Sequence, residues 1–207
     1  MLASREGESH MRTLESELTA AHARIRHLES LIETDPLLDI SNRRGFEREL
    51  RRAIARVTRY HGSAAIVFID LDHFKRINDQ FGHLAGDAAL QAVSEIIVRS
   101  CRNSDLVARF GGDEFAVLLW NLSEQDARAK ARSLERNIES LRIRLAAGCV
   151  SVGASAGVAM LCASDSPSQT INRADADMYF RKMTKKSDFE TKKFFFGTNL
   201  KNACSRR

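Results

Sequence analysis

The chain has 207 residues, 43% hydrophobic and 29% charged, the size and balance of one globular domain with an added segment. Its net charge of +5 divides into −2 over residues 1–34, 0 over 35–180 and +7 over 181–207, so the neutral centre predicts no nucleic-acid surface. The longest apolar run, Ala64 to Ile69, is too short for a bilayer, no signal peptide is read at the start, and Cys101, Cys149, Cys162 and Cys204 form no CxxC pair. The expectation is therefore a cytoplasmic protein with reduced thiols and no membrane partner, and neither a disulfide scaffold nor a zinc module.

The first predicted element is a long helix. Met11, Leu14, Leu18, Ala21, Ile25, Leu28 and Ile32 are spaced 3-4-3-4-3-4, a heptad seam with polar residues at the other positions. A seam this narrow favours a dimerising coiled coil over a helix packed on its own domain. Asp35-Pro36 ends or redirects it, because a residue before proline avoids the helical region. A helix follows over 42–59, with Phe46, Leu50, Ile54 and Val57 on one face, then a buried strand over 64–69. A helix is predicted over 87–101, and two short strands, 105–110 and 114–119, flank Gly111-Gly112 as a hairpin. A helix over 124–141, a strand region over 149–160 and a last helix over 169–183 complete the pattern. This alternation predicts an α/β sandwich with helices covering a mostly antiparallel sheet. The domains are then a dimerising helix over 1–34, a catalytic domain over 35–186 and a basic tail over 187–207, whose order the sequence leaves open.

Two motifs carry chemistry. In Ile69-Asp70-Leu71-Asp72-His73-Phe74-Lys75 an apolar strand ends in carboxylates, then a loop and a lysine. Strand ends are where α/β folds place ligands, and Mg²⁺ takes one or two carboxylates plus phosphate oxygens and water. In Arg109-Phe110-Gly111-Gly112-Asp113-Glu114-Phe115 two glycines let the backbone approach a phosphate, and two acids follow at once. If this hairpin lies beside the Asp70 strand, Asp70 and Asp113 can share a metal that offsets their repulsion. Each motif alone is as well read as a cap or a turn.

Together they resemble the GGDEF family of diguanylate cyclases. Asp35-Pro36-Leu37 with Asn42-Arg43-Arg44-Gly45-Phe46 is similar to the family's opening D-x-L…N-R-R-x-F. Asp70 to Asp79 is similar to D-x-D-x-F-K-x-I-N-D, and Phe81-Gly82-His83, Gly86-Asp87 and Leu90 continue it. Ser155-Ala156-Gly157-Val158-Ala159 resembles S-x-G-x-A, and Ala174-Asp175, Met178-Tyr179 and Lys182 resemble the final helix. The resemblance implies a palm-like, nucleotidyl-cyclase-like fold with a five-stranded central sheet. It implies condensation of two GTP into cyclic di-GMP with release of two pyrophosphates, aided by Mg²⁺ or Mn²⁺.

Residue by residue, it implies that Asp70 and Asp113 ligate the metal with the Leu71 carbonyl. Glu114 supports the metal or activates the 3′-hydroxyl. His73 and Phe74 amides, Lys75, Gly111 and Gly112 hold phosphates, Asn78 and Asp87 read guanine, and Lys182 reaches the terminal phosphates. Arg102-Asn103-Ser104-Asp105 matches the family's R-x-x-D pattern, implying product inhibition by cyclic di-GMP at Arg102 and Asp105, with Arg132 or Arg136 as a second arginine. The chemistry joins two nucleotides, each held by one domain, so it implies a homodimer, which the N-terminal coiled coil would favour by raising local concentration. The chain departs from the family pattern twice. Leu38-Asp39 replaces T-G, and Lys185-Lys186-Ser187 replaces G-R-N, leaving Lys186 in place of a phosphate-contacting arginine. The alternative reading is a non-catalytic receptor that binds GTP or cyclic di-GMP and signals through its coiled coil.

Overall fold

The structure is a computed structural model describing residues 33–145 and 148–196, with positions 11, 14, 15, 17–20, 22, 24, 25 and 28 of the preceding segment; for 144, 145, 148 and 186–196 it describes backbone only. The elements in chain order are β1 (Ser41–Asn42), α1 (Arg43–Tyr60), β2 (Ala64–Asp72), α2 (Phe74–Phe81) and α3 (His83–Ser100). Then come β3 (Leu106–Arg109), β4 (Glu114–Trp120), α4 (Glu124–Ser140), β5 (Ile143–Leu145), β6 (Gly148–Val150), β7 (Gly153–Met160) and α5 (Pro167–Phe196).

Five strands form one sheet in the order β1-β3-β4-β2-β7, while β5 and β6 make a separate hairpin. All pairings in the main sheet are antiparallel except β1 with β3. β2 lies between β4 and β7, and its side chains alternate between two cores. Val67, Ile69 and Leu71 pack with Leu90, Val93 and Ile97 of α3 and Leu134 and Ile138 of α4. Ile66 and Phe68 pack with Phe46, Leu50, Ile54 and Val57 of α1 and Ala174 and Met178 of α5. The result is three layers: α1 and α5, the sheet, then α2 to α4. The sequence reads β2 as one apolar run because both of its faces are covered.

Local chemistry accounts for the element ends. The Asn42 side chain accepts from the Gly45 amide at 3.0 Å to start α1. Ser123 and Asp126 form a reciprocal capping box at the start of α4. Asp35 Oδ1 accepts from the Leu37 and Leu38 amides, each at 3.0 Å, so Asp35-Pro36 starts a turn. Asp39, at the position where the family has glycine, has φ 50°. A short polar side chain tolerates this left-handed backbone, so the turn survives the substitution.

Several expectations are adjusted. The segment read as a loop after β2 is α2, whose eight residues, about two turns, are shorter than the stretch over which helical periodicity is read. α3 begins at His83, not Asp87, so Asp87 lies inside the helix. The strand region over 149–160 is divided between β6 and β7. α5 runs to Phe196, beyond the helix expected over 169–183, so the backbone of 187–196 is helical. Of the heptad positions, Met11, Leu14, Leu18, Ile25 and Leu28 are helical and 50–63% exposed, while Ala21 and Ile32 lie outside the described residues, as does Cys204. Among the described residues no helix is long and apolar enough to cross a membrane.

Candidate active site

The antiparallel register of β2 and β4 sets Asp70 opposite Glu114, and the Leu71 amide donates to the Asp113 carbonyl at 3.2 Å. The two motifs, some forty residues apart in sequence, thus meet at one end of the sheet. Asp113 and Glu114 both ionise above the ordinary carboxylate range. Burial is the larger cause in each case and the Asp70 charge the next, with Asp113 and Asp175 also acting on Glu114. Lys182 of α5 forms an ion pair with Asp70 Oδ1.

A cleft of about 350 Å³ opens beside these acids, lined by Phe74, Lys75, Asn78, His83, Asp87, Leu90, Arg109, Gly112 and Asp113. It gathers most of the residues that the resemblance assigned to GTP. His73 precedes α2 with φ 59°, which turns the chain so that the first amides of α2 lie at the strand end. Asn78 and Asp87 come from different helices, and Gly86 lets those helices close up. A Cβ on Gly86 would stand 1.9 Å from Asn78 Oδ1. Neither glycine of the 110–114 turn has positive φ. At Gly111 a Cβ would stand 2.3 Å from Glu114 Oε2, so a side chain there would displace the Glu114 carboxylate, whereas at Gly112 no atom lies within 4 Å of a Cβ. The Gly112 backbone therefore borders open space in the cleft.

Arg109 opens the second motif, and the resemblance gives it no role. Its Nε donates to the Gly111 and Gly112 carbonyls at 3.1 and 3.2 Å, and its Nη1 to Asp35 Oδ2 at 3.3 Å. It fastens the turn to the chain entering the domain. Both residues stand in recognised motifs, but nothing in the sequence pairs positions 35 and 109. Lys186 has no described side chain. Its neighbour Lys185 points away from the cleft, with Nζ 2.7 Å from the Ala154 carbonyl and 3.2 and 3.3 Å from Glu135 and Glu139.

For a divalent cation, the donors are the Asp70 and Asp113 carboxylates and the Leu71 carbonyl, hard oxygens of the kind Mg²⁺ takes. Among the described residues no cluster of three or more His, Cys, Asp or Glu side chains is placed to hold a metal. The donor set fits an ion that completes its shell with phosphate and water, and the crowding that raises Asp113 is relieved by a cation.

Arg102 and Asp105 lie at the opposite end of β4. Asp105 Oδ2 accepts from the Arg102 amide at 2.9 Å, and both line a cavity of about 290 Å³ with Trp120, Leu122, Asp126 and Lys130. Arg132 and Arg136 are exposed on α4, outside that lining. Burial pushes the adjacent Cys101 thiol up to about 11, so it stays neutral at physiological pH.

The five-stranded sheet with acids at the end of its central strands and helices on both faces is the palm-like fold of nucleotidyl cyclases. The family described as diguanylate cyclase, GGDEF domain, matches residues 32–188, and the chain belongs to it. The chain is 33% identical over 167 residues to diguanylate cyclase DgcP of Pseudomonas aeruginosa, covering 81% of this chain and 25% of that protein. It is 41% identical over 151 residues to diguanylate cyclase TpbB of the same species, covering 72% of this chain and 34% of that one. The chain thus spans about a third or less of the length of these relatives. Diguanylate cyclase SiaD of Pseudomonas aeruginosa, solved with its activator SiaC, superposes with a TM-score of 0.71 at 31% identity, over 87% of this chain and 69% of that one. The GGDEF domain of DgcB from Caulobacter crescentus, solved with c-di-GMP, gives 0.70 at 28% identity, over 73% and 91%.

Proposed function

We propose that the chain is the catalytic module of a diguanylate cyclase that condenses two GTP into cyclic di-GMP and releases two pyrophosphates. The observation that carries this reading is the meeting of Asp70, Asp113 and Glu114 at one sheet end with a cleft that holds Asn78 and Asp87. A carboxylate at 87 accepts from the N1–H and N2–H₂ edge of guanine, whereas adenine presents an acceptor at N1. The α2 amides, Lys75, Gly112 and Lys182 receive phosphates. Glu114, held above its ordinary range by burial and by Asp70, supports the metal site or takes the proton of the 3′-hydroxyl as that oxygen attacks the α-phosphorus. Asp70, Asp113 and the Leu71 carbonyl would hold Mg²⁺ or Mn²⁺, which neutralises triphosphate charge and acidifies a bound hydroxyl.

One cleft holds one GTP, so two copies face each other during the reaction. The exposed stripe of Met11, Leu14, Leu18, Ile25 and Leu28 supports pairing through the N-terminal helix. The cavity at Arg102 and Asp105, at the opposite end of β4 from the acids, supports feedback by the product. The test is incubation of the purified chain with GTP and Mg²⁺, with product separated by chromatography. Cyclic di-GMP is expected, more of it from Arg102→Ala; its absence from both proteins overturns the reading. A monomer by light scattering at micromolar concentration overturns the dimer.

A further inference from the structure

β7 is an outer strand of the sheet, and charged side chains cover its free edge in alternation. Glu135 Oε1 of α4 accepts from the Ala156 amide at 2.9 Å, and Asp177 Oδ2 of α5 accepts from the Val158 amide at 2.8 Å. Lys185 Nζ donates to the Ala154 carbonyl at 2.7 Å, and Arg173 Nη2 to the Met160 carbonyl at 2.8 Å. An acid meets each of these N–H groups and a base each of these carbonyls, which closes an edge otherwise open to pairing.

Three of the four side chains belong to α5, and their order runs antiparallel to β7: 173 to 160, 177 to 158, 185 to 154. The spacings match. Four helical residues rise about 6 Å and eight about 12 Å, while two strand residues span about 6.6 Å and four about 13 Å. Between these contacts the helix lies directly on the strand, since a Cβ on Gly157 would stand 2.1 Å from the Met178 amide nitrogen. These contacts set the position of α5 along the sheet to a fraction of a helical turn.

Lys182, the residue that reaches Asp70, lies between Asp177 and Lys185. Asp177 holds the helix before it; after it, among the described side chains, Lys185 alone holds it, bridging the Ala154 carbonyl, Glu135 and Glu139. The family's G-R-N stands at this point, and here it is Lys185-Lys186-Ser187. We propose that Lys185 is a positioning residue: by clamping α5 to the β7 edge it fixes the reach of Lys182 to the terminal phosphates of the nucleotide. This rests on the reading of the cleft as a GTP site.

The test uses equilibrium binding of a non-hydrolysable GTP analogue and of GMP to the full chain with Mg²⁺, by calorimetry. Lys185→Met is expected to weaken the triphosphate about five- to tenfold and GMP less than about twofold. Lys185→Arg restores the preference, as does Lys185→Gln in part, since its amide still donates to the Ala154 carbonyl. In a Lys182→Met background, Lys185→Met is expected to change nothing further. Equal weakening of both ligands, or an added loss in the Lys182→Met background, overturns the proposal by making Lys185 merely structural. Cyclic di-GMP formation is read separately. Its absence counts against the proposed reaction, while the positioning role is decided by the affinity ratio.

Discussion

The acidic sheet end and the β7 edge use the same residue types to opposite effect. At the sheet end, Asp70, Asp113 and Glu114 crowd together with Lys182 as the direct ion-pair partner, and burial raises Asp113 and Glu114 above their ordinary range. Along β7, Glu135 and Asp177 meet backbone amides as well as basic side chains. Nearby, hydrogen bonds from Arg173 hold Asp165 down to about 2. Carboxylates in the second region fix the chain; those in the first are a standing cost that a bound cation and phosphates would offset.

The pH dependence follows from these directions. Asp113 and Glu114 release protons later when folded, so their favourable share of stability is present below the ordinary carboxylate range. It is lost as the pH rises through their raised values. Asp165 behaves oppositely: its share is present above its ordinary value of 3.8 and is lost as the pH falls towards about 2.

The contrast is sharpened most by Asp113. Asp113→Ala is expected to reduce cyclic di-GMP formation about 10³-fold, through loss of several kcal/mol of metal-assisted stabilisation. Asp113→Asn is expected to be as inactive yet to melt about 2–4 °C higher at neutral pH, because it removes the repelled charge. A lower melting temperature for Asp113→Asn would show the sheet end to be structural after all. Next is Gly157→Ala, which drives a methyl group into the α5 backbone and is expected to cost about 3 kcal/mol in urea unfolding. Arg173→Ala removes both the Met160 contact and the partner of Asp165, for a loss of about 1–2 kcal/mol. It should also flatten the fall in stability between pH 4 and 2, which acid titration of the unfolding midpoint reads directly. The smallest effect belongs to Asp39→Gly, where relief of the left-handed backbone is expected to add about 0.5 kcal/mol.

Much of the fold is written locally. The apolar spacing of α1 and α4, the run in β2 and the glycine turn between β3 and β4 all stand in the sequence, and each is found. α2 escaped because its eight residues, about two turns, are shorter than the stretch over which helical periodicity is read, and of α5 only the extension beyond 183 was missed. For the site, the motif residues from Asp70 to Lys182 were all legible through the family pattern. What was not legible is how they are held: Arg109 to Asp35, Gly86 against Asn78, and Lys185 on the β7 edge.

The sequence alone determined the residue types at the acidic sheet end and the order of the longer helices and strands. Periodicity, capping and turn chemistry act over a few residues, and the motif spacings are read along the chain. Only the tertiary structure decided that Asp70 faces Glu114, that Lys182 reaches Asp70 and not another acid, and that Lys185 turns away from the cleft to grip β7. Those outcomes depend on strand register and on the position of α5 along the sheet. Both are set by packing between segments distant in the chain, where one residue of slip would carry every side chain to the other face.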